Sequence, residues 1–177
     1  MKILVIGGSN SQNSINRKFA RFVVSLFNDA EVQEVNISQM DVPLFSVQHE
    51  KATGIPATVR KFAQQIDETD LILLSLAENN GSYNVGFKNV LDWTSRISGR
   101  TTFNQKPMLL MATSPGGRGG ATVLESAKNY FPFMGAVIKG TFSLPKFYEN
   151  FEDEKGITNP QLLRDLNAIL ETLKREL

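Results

Sequence analysis

The amino-acid sequence predicts an α/β protein built on a doubly wound, five-stranded parallel sheet. Apolar runs alternate with amphipathic helical segments along the 177 residues. The clearest runs, Lys2–Ile6, Leu71–Leu76 and Pro107–Thr113, show no alternation of apolar and polar residues. Because strands of a parallel sheet are buried on both faces, continuous runs are typical of them. Strands that alternate with helices also favour right-handed crossover connections.

The first half of the chain contains three of the predicted strands and two helices. Val32–Ile37 is the second strand and Leu71–Leu76 the third. Pro56 suits the first turn of the second helix. The segment Ser38–Ile55 is expected to be irregular, and its length favours a functional or interface loop. Apolar residues recur at helical spacing on one face of the first helix: Ile15, Phe19, Phe22, Val23, Leu26 and Phe27.

The third and fourth helices follow polar or glycine-rich loops. The loop Ala77–Asn84 precedes a helix with an apolar face from Phe87 to Ile97. The fourth strand, Pro107–Thr113, leads into the loop Ser114–Gly120. A helix over about Ala121–Tyr130 follows that loop.

The end of the chain completes the pattern of five strands and five helices. Ala136–Leu144 is the fifth strand, and the polar stretch that follows it up to Thr158 is expected to be unstructured. Asn159 is expected to cap the last helix, with Pro160 at its first position.

Composition excludes several classes of protein. Lys and Arg total 19 against 18 Asp and Glu, so the net charge of +1 gives no sign of a nucleic-acid partner. The absence of cysteine excludes disulfides and thiolate metal sites and fits a cytoplasmic protein. No apolar stretch is long enough for a membrane span, and the start of the chain lacks the pattern of a signal peptide. We expect a single domain over residues 1–177, with no metal and no membrane partner.

The loop after the first strand has the composition of a phosphate site. Ser9–Ser14 are consecutive polar residues between a strand and a helix. Their hydroxyl and amide groups, the free N–H groups of the helix and the positive end of its dipole suit an anion. The absence of Lys between positions 2 and 18 excludes a Walker A loop, and the absence of glycine between positions 8 and 54 excludes a dinucleotide fingerprint. A loop in which Ser14 only caps the helix is the alternative.

Two further loops are expected at the same edge, because ligands of such sheets bind at the carboxyl ends of the strands. Glu78, Asn79 and Asn80 follow the third strand and offer polar groups to a ligand. Gly116 and Gly117, without a Cβ, let their backbone N–H groups approach a flat molecule. A phosphate loop beside such a loop matches FMN, a planar ring on a phosphorylated chain. The alternative for the glycines is a tight turn that leads into a helix. For Glu78, a hydrogen-bonding or solvated carboxylate is the alternative to a catalytic acid.

Three motifs resemble those of the NAD(P)H-dependent FMN reductases, a flavodoxin-like family that includes quinone, azo-dye and chromate reductases. Gly8-Ser9 with Ser14-Ile15-Asn16 resembles the family's phosphate loop. Glu78 and Asn80 with Lys88–Trp93 resemble its Pro-Glu-Tyr-Asn…Leu-Lys-Asn-Ala-Leu-Asp-Trp motif. Ser114–Gly120 resembles its third flavin loop. The resemblance implies strand order 2-1-3-4-5 with helices on both faces of the sheet.

The resemblance also implies a function. Hydride would pass from NADH or NADPH through FMN to a small acceptor such as free flavin or a quinone, with no catalytic side chain, because the flavin carries the chemistry. A homodimer or homotetramer is implied, with Trp93 and the segment Ser38–Ile55 as candidate contacts; a core position is the alternative for Trp93. The expected flavin-binding residues are Ser9, Ser11, Asn13, Ser14, Ile15, Asn16, Ala77, Glu78, Asn79, Asn80, Ser114, Gly116 and Gly117.

The chain departs from the family pattern at four positions. Ser11 stands where the family usually has Arg, so a charge-assisted phosphate contact is missing. Ala77 and Asn79 replace Pro and Tyr beside the flavin, and Asn84 replaces a common Pro. A flavin-free binding protein of the same fold therefore stays an alternative. A flavodoxin-type electron carrier is another, although the net charge of +1 argues against the acidic docking surface of such carriers.

Overall fold

A computed structural model describes residues 1–177. The strands are β1 (Lys2–Gly8), β2 (Glu31–Asn36), β3 (Leu71–Leu76), β4 (Glu78–Asn79), β5 (Ser82–Tyr83), β6 (Lys106–Thr113), β7 (Ala136–Leu144), β8 (Phe151–Glu152) and β9 (Gly156–Ile157). Five of them form a parallel sheet in the order β2-β1-β3-β6-β7. Because β6 and β7 are the fourth and fifth strands of this sheet, the predicted fold and strand order are confirmed.

Seven α-helices and two short 3₁₀ helices surround the sheet. The α-helices are α1 (Ile15–Ser25), α2 (Val47–Thr53), α3 (Ala57–Asp67), α4 (Val85–Thr94), α5 (Ala121–Tyr130), α6 (Phe147–Asn150) and α7 (Pro160–Glu176). The 3₁₀ helices span Ile37–Gln39 and Phe131–Met134. None of the helices combines the length and apolar character that crossing a bilayer requires.

The core consists of two layers, one on each face of the sheet. Alternate residues of β1 enter different layers: Leu4 belongs to the layer formed with α3, α4 and α5, and Val5 to the layer formed with α1 and α7. Both residues are completely buried. This two-sided burial is the physical reason for the unbroken apolar runs in the sequence.

The sequence predicts that the segment Ser38–Ile55 is irregular. In the structure it contains a 3₁₀ turn and helix α2, so this prediction was wrong. The segment lies against α4, where Asn89 Oδ1 accepts a hydrogen bond from Phe45 N (2.8 Å). Trp93 Nε1 donates to Pro43 O (2.7 Å). Trp93 is completely buried, so of its two expected roles, core residue or subunit contact, the structure supports the core role.

Four smaller expectations also need correction. The stretch before Thr158 contains α6 and the β8–β9 hairpin, and the loop Ala77–Asn84 contains the β4–β5 hairpin. Helix α4 ends at Thr94, before Ile97. Pro56 is the residue that precedes the first turn of α3, one position earlier than predicted. The chain therefore has seven α-helices instead of five.

Candidate active site

The three loops selected from the sequence lie at one edge of the sheet, because they follow β1, β3 and β6, which are adjacent strands. Direct hydrogen bonds join them. Asn10, in the loop after β1, pairs with Asn84, at the end of the β4–β5 hairpin. Glu78, in that hairpin, accepts a hydrogen bond from Val123 N in the first turn of α5 (3.0 Å). We call this edge, with its three loops, the rim.

The first loop leaves a run of backbone donors without protein acceptors. Ser14 is the N-cap of α1, and its Oγ accepts a hydrogen bond from Arg17 N (3.2 Å). The N–H groups of residues 12–16 donate to no other group of the protein. Unpaired N–H groups at a helix N-terminus, with the positive end of the helix dipole behind them, form an anion site.

Asn16 lies buried beneath this loop. Its side chain is 2% exposed and bridges the ends of two strands. Asn16 Oδ1 accepts hydrogen bonds from Ser75 Oγ (2.7 Å) and Thr113 N (3.0 Å), while Nδ2 donates to Thr113 O (3.1 Å). Because these partners occupy both ends of the amide, the group that Asn16 offers to a ligand is its backbone N–H.

The β4–β5 hairpin is closed by two residues with positive φ, Asn80 (52°) and Gly81 (75°). Asn79 and Asn80 are exposed, and Ala77 and Glu78 are half-buried. The bond from Val123 N to the Glu78 carboxylate shows that this carboxylate is a hydrogen-bonding group, which was the favoured alternative to a catalytic acid. This bond fixes the hairpin against the N-terminus of α5.

Tyr83, at the base of the hairpin, contacts α5 and the 3₁₀ helix that follows it, which sequence reasoning missed. Its ring stacks on Phe131, with centroids 5.7 Å apart, and its hydroxyl lies 3.3 Å from Ser126 Oγ. Burial raises the pKa of the Tyr83 phenol, so the hydroxyl is protonated at neutral pH.

The third loop contains two kinds of glycine. Gly119 (φ 57°) and Gly120 (φ 77°) have left-handed backbones, and a Cβ on Gly120 would lie 2.9 Å from Ala112 Cβ. The fold therefore requires both of them. A Cβ on Gly117 would have no neighbour within 4 Å, and one on Gly116 would make only an ordinary contact with Ser114 Oγ. Since the N–H groups of Gly116 and Gly117 have no protein acceptor, they are open to a ligand.

Ala77 is half-buried and its N–H donates to Gly8 O (3.4 Å); the other predicted site residues divide into two groups. Those with open backbone or side-chain groups at the rim are Ser11, Asn13, Ile15, Asn79, Asn80, Gly116 and Gly117. Those whose side chains mainly bond within the protein are Ser9, Ser14, Asn16, Glu78 and Ser114. Ser114 also supplies its carbonyl oxygen to Phe147 N (3.0 Å), which ties the loop to α6.

Sequence reasoning missed the roles of Asn10 and Asn84. Both positions were visible as polar residues, and Asn84 also as a departure from the family motif. Their pairing joins positions 74 residues apart. The only signal available for it was the expectation that the two loops share one edge.

Comparison with known proteins identifies the family. A family model described as NADPH-dependent FMN reductase matches residues 1–149. The chain belongs to this family. Quinone reductase from Escherichia coli (strain K12) is 30% identical over 140 residues, which are 78% of this chain and 73% of that protein. The 2-hydroxy-1,4-benzoquinone reductase of Burkholderia sp is 28% identical over 174 residues, which are 97% of this chain and 91% of that protein.

A solved structure supports the fold assignment. The chain superposes with a TM-score of 0.77 on FerB, a flavoenzyme NAD(P)H:(acceptor) oxidoreductase from Paracoccus denitrificans. The sequence identity is 24%, and the alignment covers 98% of this chain and 97% of that chain. Membership of the FMN reductase family confirms the predicted class, an FMN-dependent NAD(P)H oxidoreductase, and the predicted cofactors. It argues against the carrier and flavin-free alternatives.

Proposed function

We propose that this FMN reductase homologue binds FMN at the rim and uses it to reduce a small electrophile of the quinone class. The observation that carries the proposal is the run of unpaired N–H groups at residues 12–16, which opens on the same rim as Gly116 and Gly117. A phosphate and a flat polar ring, joined by a short chain, have the shape and charge that this arrangement suits.

The phosphate group would lie at the N-terminus of α1. The N–H groups of Asn13, Ile15 and Asn16 would donate to it, together with exposed hydroxyl and amide side chains of the loop such as Ser11. No cationic side chain occupies position 11, so the phosphate would be held by neutral donors and the helix dipole. Without a cation at position 11, only these donors and the helix dipole would balance the phosphate charge, which predicts moderate FMN affinity.

The flavin ring would lie between the hairpin and the glycine loop. Ala77, Asn79 and Asn80 would border one side of it, and Gly116 and Gly117 the other. Bound FMN supplies the hydride chemistry, taking hydride from NADH or NADPH and passing it to the acceptor. The N–H groups of Gly116 and Gly117 are the donors that would stabilise negative charge on the ring's pyrimidine edge.

The relatives support a quinone as the acceptor. Two of them are named as quinone reductases, and both align with more than two thirds of this chain. Asn79, where the family motif has Tyr, is a small and exposed polar residue. A side chain smaller than Tyr at this position would leave more room for a planar acceptor beside the ring.

One FMN titration and one activity assay test the proposal. The apoprotein is titrated with FMN, monitored by quenching of flavin fluorescence, and oxidation of NADPH and NADH is then followed with a benzoquinone. We expect saturable FMN binding and quinone-dependent oxidation. Protein that binds FMN but does not oxidise either nucleotide would favour an electron carrier, and protein that binds no FMN would contradict the proposal.

We further propose a cytoplasmic homodimer or homotetramer. Exposed apolar side chains support the assembly: Leu44 is 74% exposed in the segment that α4 holds, and Val85 is 64% exposed at the start of α4. Light scattering coupled to size exclusion tests it, with Leu44→Asp as the disrupting variant. A monomeric mass for the wild-type protein would contradict the assembly without affecting the flavin assignment.

A further inference from the structure

We propose that Asn84 is a positioning residue that, with Asn10 and Asn79, clasps the phosphate loop to the β4–β5 hairpin. We call these three side chains the asparagine clasp. The inference rests on the proposed function for its consequence, because the loop that the clasp holds is the one assigned to phosphate. Two of the three residues stand where the family motif has Tyr and Pro, so the clasp is a feature of this chain.

Asn84 uses both ends of its amide. Its Oδ1 accepts hydrogen bonds from Gly86 N (3.1 Å) and Phe87 N (3.4 Å), which caps α4. The same oxygen accepts a hydrogen bond from Asn10 N (3.1 Å). Its Nδ2 donates to Asn10 Oδ1 (3.0 Å) and Asn79 Oδ1 (3.0 Å). One side chain, 8% exposed, therefore joins a helix start, the phosphate loop and the hairpin.

The packing around Gly86 supports the same arrangement. A Cβ on Gly86 would lie 2.7 Å from Asn10 Cβ, closer than side-chain carbons approach one another. The first turn of α4 and the phosphate loop are thus in direct contact at the clasp. Glycine at this helical position costs about 1 kcal/mol of helix propensity relative to alanine, which is consistent with a packing requirement.

The phosphate loop has few other anchors at its exposed end. Ser11, Gln12 and Asn13 are exposed, and the internal bond from Ser11 N to Ser9 Oγ (3.1 Å) does not reach the hairpin. Arg17 Nη2 contacts Gln12 O at 3.3 Å, also from within the same strand-to-helix unit. Ordering this loop before the ligand arrives lowers the entropy cost of binding. The clasp should therefore contribute mainly to the part of the affinity that depends on phosphate.

The first experiment replaces Asn84 by Ser, which retains an N-cap oxygen but lacks the amide donor. The matched control is Asn159→Ser in α7, where Asn159 Oδ1 also accepts two backbone bonds, from Gln161 N (3.0 Å) and Leu162 N (3.2 Å). FMN and riboflavin are titrated separately by fluorescence quenching. For Asn84→Ser we expect the Kd of FMN to rise about tenfold and the Kd of riboflavin to change much less.

Two further variants separate the effect of the clasp from the effect of capping α4. Asn79→Ala removes one arm and should raise the Kd of FMN by a smaller factor. Gly86→Ala improves helix propensity but forces the loop away from α4, so it should also weaken FMN more than riboflavin. The control Asn159→Ser should leave both dissociation constants unchanged, even where its Tm falls.

Hydrogen exchange of the apoprotein tests, without any flavin present, whether the clasp orders the phosphate loop. Backbone amides of residues 9–16 should exchange faster in Asn84→Ser than in the wild type or Asn159→Ser. Unchanged exchange in this loop, or equal weakening of FMN and riboflavin, would overturn the clasp. Failure of the wild-type protein to bind FMN would instead contradict the proposed function, while the exchange result would still decide the clasp.

Discussion

Helices α1 and α5 both begin at the rim, yet the N–H groups of their first turns are paired differently. In α1 the N–H groups of Ile15 and Asn16 have no protein acceptor, and Arg17 N donates to the neutral hydroxyl of Ser14. In α5, Ala121 N donates to Arg118 O, and Val123 N donates to the carboxylate of Glu78. A carboxylate at a helix N-terminus stabilises the helix and neutralises its positive end. The comparison supports the proposal that α1 binds the phosphate and that α5 positions the loop proposed to contact the ring.

The largest expected effect comes from the glycine loop in front of α5. Gly117→Trp places a bulky ring where Gly117 has open space, so the fold should be retained while FMN binding is lost. We expect no detectable FMN binding and a Tm within about 2 °C of the wild type. Fluorescence titration and thermal unfolding measure the two quantities.

Gly120→Ala is the matched contrast within the same loop. Its positive φ and its contact with Ala112 make alanine costly, by about 1–3 kcal/mol of unfolding free energy, so this variant should lower the Tm. A Gly117→Trp protein that still binds FMN would show that the ring lies elsewhere.

A smaller effect is expected from charge at the start of α1. Ser11→Arg restores the cation that the family usually has and should lower the Kd of FMN about tenfold, while Ser11→Asp should raise it about tenfold. Ser11→Gln is the neutral control. Both charge effects should weaken as salt increases, because position 11 is exposed. Equal responses of riboflavin would place the phosphate away from α1.

The smallest effect concerns the carboxylate that caps α5. Glu78→Ala leaves Val123 N without its partner, and we expect a loss of about 1 kcal/mol of unfolding free energy, measured by urea denaturation. Glu78→Gln keeps an acceptor at the same place and should lose less. Both variants should retain quinone-dependent NADPH oxidation. If Glu78→Gln alone abolished turnover at unchanged FMN affinity, Glu78 would be a catalytic acid after all.

The sheet could be predicted almost completely, because most of its strands are apolar runs that can be recognised in the sequence. β3 and β7 begin and end at the predicted residues, and β6 differs by one position. Helix α2 was missed for the opposite reason. None of its residues is buried, so no apolar periodicity marks it. The local signals were Ser46, whose Oγ caps the helix by accepting a hydrogen bond from His49 N (3.0 Å), and Gly54, which ends it with a φ of 72°.

The site could be predicted as a location but not as a set of contacts. That three polar loops meet at one edge follows from the parallel strands that the apolar runs predict and from the strand order that the family resemblance implies. Which side chains face a ligand depends on bonds between distant residues, such as Asn16 to Thr113 and Glu78 to Val123. No feature of the sequence shows that these residues are partners. A Glu that caps a helix also cannot be told in the sequence from a Glu that binds a ligand.

The central claim is that the backbone N–H groups at the start of α1 hold the phosphate of FMN. Two-dimensional ¹H–¹⁵N spectra of the apoprotein during titration test it most directly. FMN should shift the amide resonances of residues 12–16 and of Gly116 and Gly117, and riboflavin should shift those of the glycines but leave residues 12–16 nearly in place. Equal shifts at residues 12–16 with both ligands, or phosphate-dependent shifts confined to the start of α5, would contradict the account.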